Sequence, residues 1–230
     1  MLEVLQQEIV ACNKCKRLRL HCQQVAQVKR RAYLDQEYWG KPVPPFGDPN
    51  ARLLIIGLAP GAHGANRTGR VFTGDKSGDF LFRALYETGF ANQPTSVSHN
   101  DGLQLKDCWI TGAVRCAPPD NKPLPEEFQR CRPYLERELR DLRNLQVIVC
   151  LGKLAFDSYL SIVRDTEGIR TSALHFGHGV MHEQRKPVLI GSYHPSQQNT
   201  STGRLTAKML QDVFALARGI VQAHALGSVP

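Results

Sequence analysis

Two groups of residues in this sequence have the types and spacing to do chemistry. The first is a set of thiols. Cys12 and Cys15 form a CxxC hook, and Cys116 and Cys131 stand with 14 residues between them. Two thiolates in a local hook and two at a loop–helix junction make a donor set for a tetrahedral zinc or a [4Fe–4S] cluster. Zinc ribbons usually bring two short hooks, and only one exists here. Cys22 is an alternative ligand, whereas Cys108 and Cys150 fall in apolar runs and read as small buried thiols.

The second group is Gly57–Phe82, GLAPGAHGANRTGRVFTGDKSGDFLF. Gly57, Gly61, Gly64, Gly69, Gly74 and Gly78 all precede or open a helical pattern that begins near Ser77. Glycines let another molecule approach backbone N–H groups closely. A strand, a glycine-rich loop and then a helix N-terminus build a pocket for something anionic or flat. The plainer alternative is a flexible surface loop. A connection this long usually carries function, and this one runs into an apolar, aromatic helix start. Gly64–Val71 has the glycine spacing of a Walker A loop, but Arg70 and Val71 replace its Lys and Ser/Thr. GxGxxG is absent as well. Nucleotide hydrolysis and dinucleotide binding are therefore poor readings.

The surrounding elements must position these groups. Leu2, Leu5 and Ile9 form a short helical stripe leading into Cys12, and the segment through Arg31 reads as basic and partly helical. Lys41–Asn50 is an extended, proline-rich loop. Ala51–Ile56, Cys108–Val114, Gln146–Leu151 and Pro187–Tyr193 are buried strands. Helices are expected over Ser77–Tyr86, Pro125–Arg143 with a kink or break at Pro133, Leu154–Leu160 and Leu205–Ala223. The last helix has Leu205, Met209, Val213, Leu216, Ile220 and Ala223 as its stripe. Glu167–Glu183 reads as a hairpin, and Arg115–Pro123 as a polar, proline-rich loop. Strands alternating with helices imply an α/β fold. One domain over residues 1–230 is expected, with a central four-stranded, mostly parallel sheet flanked by helices. Its ligand would sit at the carboxyl ends of the strands, where Gly57–Asp75, Arg115–Asn121 and His194–Ser196 share a rim.

Across 230 residues, Lys+Arg 29 against Asp+Glu 21 gives a net charge of +8. Ala11–Leu34 holds no acidic residue but contains Lys14, Lys16, Arg17, Arg19, Lys29, Arg30 and Arg31. Such a block suits a polyanion, most often nucleic acid, or is simply a solvated basic face. No export signal is expected at the start, and no apolar run approaches the ~18 residues of a membrane span. Seven cysteines without an export signal argue for a reducing compartment, and for ligand thiolates over disulfides.

Gly57-Leu-Ala-Pro-Gly61, Phe72-Thr-Gly-Asp75, the four cysteines and His194-Pro-Ser196 together resemble the uracil-DNA glycosylase superfamily. Within it they are most similar to the iron–sulfur, family 5 (type B) branch, from Cys12 to about Leu205. The resemblance implies a [4Fe–4S] cluster on Cys12, Cys15, Cys116 and Cys131. It also implies removal of uracil, and of other deaminated or oxidised bases, from double-stranded DNA. Other branches handle the attacking water with an acidic or amide residue in the first motif. Here Leu58 and Ala59 hold those positions, and the motif offers Asp75 instead.

The chemistry fits that implication. Cleaving an N-glycosidic bond puts positive charge on the sugar and negative charge on the departing base. Asp75 is the carboxylate for the first, with a helix N-cap as its alternative role. His194 and the backbone of Gly57, Ala59 and Gly61 are donors for the second. Phe72 would stack on the extruded base, unless it is core packing. Asn121 would read a base edge, unless it is a turn former. Ser196 and the basic block would hold phosphates, and the polar stretch after Pro195 is flexible enough to enter the space the base leaves. A monofunctional, monomeric, cytoplasmic enzyme, nucleoid-associated through its DNA, is the expectation. The alternative is a non-catalytic nucleic-acid-binding protein with a structural metal site.

Overall fold

The computed structural model describes residues 1–226 apart from 169 and 185. Its centre is β2, Leu53–Gly57, in which all five residues are buried. A strand apolar at every position needs cover on both faces, and β2 has it. Leu53 and Ile55 face α4, Lys76–Glu87, and α8, Ala207–Leu226. Leu54 and Ile56 face α5, Pro125–Asp141, and α6, Lys153–Glu167.

β3, Cys108–Gly112, β4, Val147–Leu151, and β6, Val188–Ser192, are equally buried. With β2 they form a parallel core in the order β3-β2-β4-β6, registered through Ile55 against Ile110 and Val149. The expected four strands are present, and the sheet has two more. β1, Phe46–Gly47, and β5, Met181–His182, pair antiparallel at its two edges. Two residues carry no alternation, so neither edge shows in the pattern.

α1, Leu2–Val10, and α2, Lys16–Val28, carry the N-terminal region, and α3, Ala65–Thr68, is a single turn in the glycine loop. Three expectations need correction. α5 runs unbroken through Pro133, because that residue and Gln129 lie on the exposed side, where the carbonyl deprived of its donor meets water. The stripe of α8 is Leu210, Val213, Phe214, Ala217 and Val221, while Leu216 and Ala223 are exposed. Val213 belongs to both stripes, and that shared residue hid the wrong phase. The expected Glu167–Glu183 hairpin includes residue 169, outside the described residues; the hairpin present joins β5 to β6 instead.

Candidate active site

The loops leaving β2, β3 and β6 meet above the carboxyl ends of the strands and enclose a cavity of about 820 Å3. Gly57, Ala59, Gly61, Phe72, Asp75, Asn121, His194 and Ser196 all line it. Residues scattered over some 140 positions therefore converge because three consecutive crossovers end on one rim.

Close approach explains the glycines. A Cβ on Gly57 would lie 2.7 Å from the Phe72 ring, so Gly57 is what admits that ring to the cavity wall. A Cβ on Gly64 would overlap the Asp75 carboxylate, and one on Gly61 would lie 2.9 Å from its Oδ2. Oδ1 accepts from the Gly78 N–H at 3.0 Å and caps α4. Asp75 is thus both the N-cap of α4 and a residue lining the cavity. Burial pushes its carboxyl above the usual range. The Gly78 and Ser77 N–H groups and Arg67 oppose that rise, and Asp79 adds to it.

His194 lies against Phe72, with ring centroids 5.7 Å apart. Burial holds its imidazole down to about 4, so it is neutral near pH 7. Its carbonyl accepts from Asn199 Nδ2 at 2.8 Å, and Ser196 Oγ accepts from the Asn199 N–H at 3.3 Å. The segment expected to be flexible is a short helix, α7, Gln197–Ser201, capped by Ser196. Ser196 and Asn199, an N-cap and the residue three on, supply the closing hydrogen bond. Asn121 is exposed at the cavity edge and takes φ 56°, after Asp120 at φ 54°. Turn former and cavity residue are one and the same here.

Further residues line the cavity: the sequence reading named Arg30 only within the basic block, placed His63 and Arg115 on the rim without a role, and missed Tyr33 and Thr111. Arg30 and Tyr33 reach it from the N-terminal region, His63 from the glycine loop, and Thr111 and Arg115 from β3 and its exit. Arg115 is fully buried and pairs with Glu138 of α5 at 2.7 Å, with Thr111 Oγ1 donating to the same carboxylate. A charge directly after a buried strand was the available signal for Arg115. Arg67 is buried as well. Its Nη2 donates to the Gly74 carbonyl at 2.7 Å and its Nε to the His63 carbonyl at 2.8 Å. Arg70, which stands at the Walker lysine position, is locked to Asp101 at 2.7 Å and Ser96 at 2.7 Å, away from any phosphate role.

The cysteines gather beside this floor. Cys15, Cys22, Cys116 and Cys131 share one buried cluster, and Cys12 borders it against Tyr134. All seven cysteines are free thiols. Among the described residues no three Cys, His, Asp or Glu side chains stand in ion-holding geometry. Charge nevertheless surrounds the thiols: Arg130 lies beside Cys15, Arg19 beside Cys22 and Cys116, and Arg115 beside Cys131. Arg19 Nη1 is buried without a hydrogen-bond partner among the described residues. Burial pushes the Cys15 and Cys131 thiols up, and Cys22 and burial push Cys116 up; the neighbouring arginines oppose each rise and are the cations that would offset the charge of a thiolate assembly. Cys22 Sγ donates to the Ala117 carbonyl at 3.6 Å.

The basic block is partly consumed by the fold. Arg17 pairs with buried Glu127 at 2.9 Å, and Arg19 Nη2 donates to the Gly40 carbonyl at 3.0 Å. Lys14, Lys16, Arg30 and Arg31 remain exposed.

Comparison with known proteins adds an independent result. Residues 44–218 match the uracil DNA glycosylase superfamily. A type-5 uracil-DNA glycosylase of Mycobacterium tuberculosis is 50% identical over 91% of this chain and 78% of its own length. That of Mycobacterium leprae is 49% identical over 93% of each chain. That of Thermus thermophilus is 45% identical over 94% of this chain and 96% of its own. On the cavity, the fold and these matches, the chain belongs to the uracil-DNA glycosylase superfamily, in its type-5 branch.

Proposed function

We propose that this protein excises uracil, and other deaminated or damaged bases, from double-stranded DNA by hydrolysing the N-glycosidic bond. The observation that carries the reading is the meeting of Asp75, His194 and Phe72 in one cavity with the glycine loop. The base leaves the duplex stack and enters beside the Phe72 ring. As the bond from C1′ to the base nitrogen breaks, its electron pair departs with the base. The neutral imidazole of His194 and backbone N–H groups donate to the base oxygen on which that charge gathers. Asp75 Oδ2 faces the positive sugar and orients a water. The water oxygen bonds to C1′ and its proton passes through Asp75 to solvent. Leu58 and Ala59 have no group for that task.

In this reading the chain acts as one domain and as a monomer, in the cytoplasm, on nucleoid DNA. Cys12, Cys15, Cys116 and Cys131 hold a [4Fe–4S] cluster. When bound, that cluster supplies a rigid cross-link between the N-terminal hook, the loop after β3 and α5. Arg19, Arg115 and Arg130 offset its negative charge.

The enzyme is monofunctional, since Lys76 is the lone lysine in the motifs. Free uracil measured by mass spectrometry, with alkali-labile sites and no borohydride-trapped adduct, is the expected result. A trapped adduct overturns the monofunctional reading, and no free base overturns excision.

A further inference from the structure

His63 sits between Gly61 and Gly64, the two glycines against which the Asp75 carboxylate lies, and it lines the cavity with Arg30 and Tyr33. It is held twice. Its carbonyl accepts from Arg67 Nε at 2.8 Å. Arg67 is fixed in turn by the Gly74 carbonyl at 2.7 Å, by Gln36 Oε1 at 2.5 Å and by the Tyr33 ring at 4.0 Å. The His63 ring is held by the hydroxyl of buried Tyr38, 3.1 Å from Nδ1.

That second bond couples the ring's tautomer to the Tyr38 hydroxyl. The Arg30 backbone N–H donates to Tyr38 Oη at 3.3 Å. With the hydroxyl proton donated to His63 Nδ1, that nitrogen is bare, and this is the tautomer on which the inference rests. Nε2 therefore carries the proton. It has no hydrogen-bond partner among the described residues, on a residue that lines the cavity. In that tautomer both ring nitrogens are committed, Nδ1 as acceptor and Nε2 as donor. His63 is a fixed donor. Burial, together with Arg30, Arg67 and His21, pushes its imidazole down. The Arg30 and Arg67 charges beside it favour an anion as the acceptor.

We propose that His63 binds a DNA phosphate next to the extruded nucleotide, its Nε2–H donating to a phosphate oxygen with Arg30 as the charged partner. The proposal rests on the excision reading, which supplies a nucleotide in the cavity and phosphates on either side of it. A hydrogen bond to a phosphate contributes directly, and its donor is preorganised by Tyr38 and Arg67 at no cost on binding.

The test reads the affinity of intact protein for duplexes holding 2′-fluorodeoxyuridine, whose glycosidic bond resists cleavage. One flanking phosphate at a time is replaced by an uncharged methylphosphonate. His63→Ala should weaken binding to the unmodified duplex about ten- to a hundredfold. On one modified duplex that loss should shrink to nearly nothing, because the acceptor charge is already gone. His63→Gln, which places an N–H at similar reach, should keep most of the affinity. Tyr38→Phe should weaken binding in the parent and do nothing further in His63→Ala. An equal loss on every modified duplex, or no loss anywhere, overturns the phosphate contact. A parent that releases no uracil from ordinary uracil DNA overturns excision itself, and this proposal with it. An active parent with a flat methylphosphonate response overturns only the role given to His63.

Discussion

The Asp75 carboxylate lies so close to the Gly64 backbone that a single added methyl would overlap Oδ2. The glycine loop is thus shaped around a carboxylate rather than around flexibility. Gly64→Ala should displace Asp75 and lower single-turnover cleavage about a hundredfold, the usual cost of a misplaced reacting group. A rate within a factor of three of the parent, in folded protein, would sever the loop from the chemistry.

The acid limb of activity follows from the burial of Asp75. Because its carboxyl titrates above the usual range, the ionised form is lost sooner as pH falls. Activity should therefore decline on the acid side at a pH above that of an exposed aspartate. The same sign makes this group's contribution to stability improve with acidity, since the folded state binds its proton more tightly. Arg67 opposes the rise, so Arg67→Met should move the acid limb further up, and Arg67→Lys should bring it back. A pH–rate profile that is unchanged in Arg67→Met contradicts this.

His194 gives the opposite expectation. Held down to about 4, it stays neutral from pH 5 upward and adds no limb near the ordinary histidine value. His194→Ala should cost about 10²–10³ in rate, the range for one donor to a developing anion. A limb near pH 6.5 that vanishes in His194→Ala would show a charged imidazole instead.

Arg115 and Glu138 are both buried, and each is the other's main compensation. Glu138→Gln leaves a buried guanidinium unpaired and should cost about 3–5 kcal/mol in urea unfolding. Replacing both residues with apolar ones should recover much of the loss. If Glu138→Gln unfolds at the parent's midpoint, the pair is not what secures α5 to β3.

The thiol assembly is checked by metal content. Purified protein should carry about four irons per chain, and Cys116→Ser should lose them. Zinc in place of iron, or neither metal, would refute the cluster.

The sequence exposed the parallel core because Leu53–Ile56 and its three partners are apolar on both faces, a pattern that needs no tertiary information. It exposed the rim because Gly57, Asp75 and His194 each follow a strand or open a helix. It could not expose the pairing of Arg115 with Glu138, since nothing in the sequence links two opposite charges 23 positions apart until the fold buries both. His63 was hidden differently: its role depends on Tyr38, a residue 25 positions earlier that lies in no motif. Leu216 shows a third limit, for two helical phases sharing Val213 differ only in which side meets the sheet.

The most direct measurement is single-turnover cleavage of a labelled duplex holding one U·G pair, by the parent and by Asp75→Asn. Asparagine caps helices as well as aspartate does, so the variant keeps α4 while removing the charge that faces the cavity. The account expects alkali-labile breaks with the parent and a rate at least about a hundredfold lower with the variant. Equal rates from the two proteins, or an inactive parent, would contradict it.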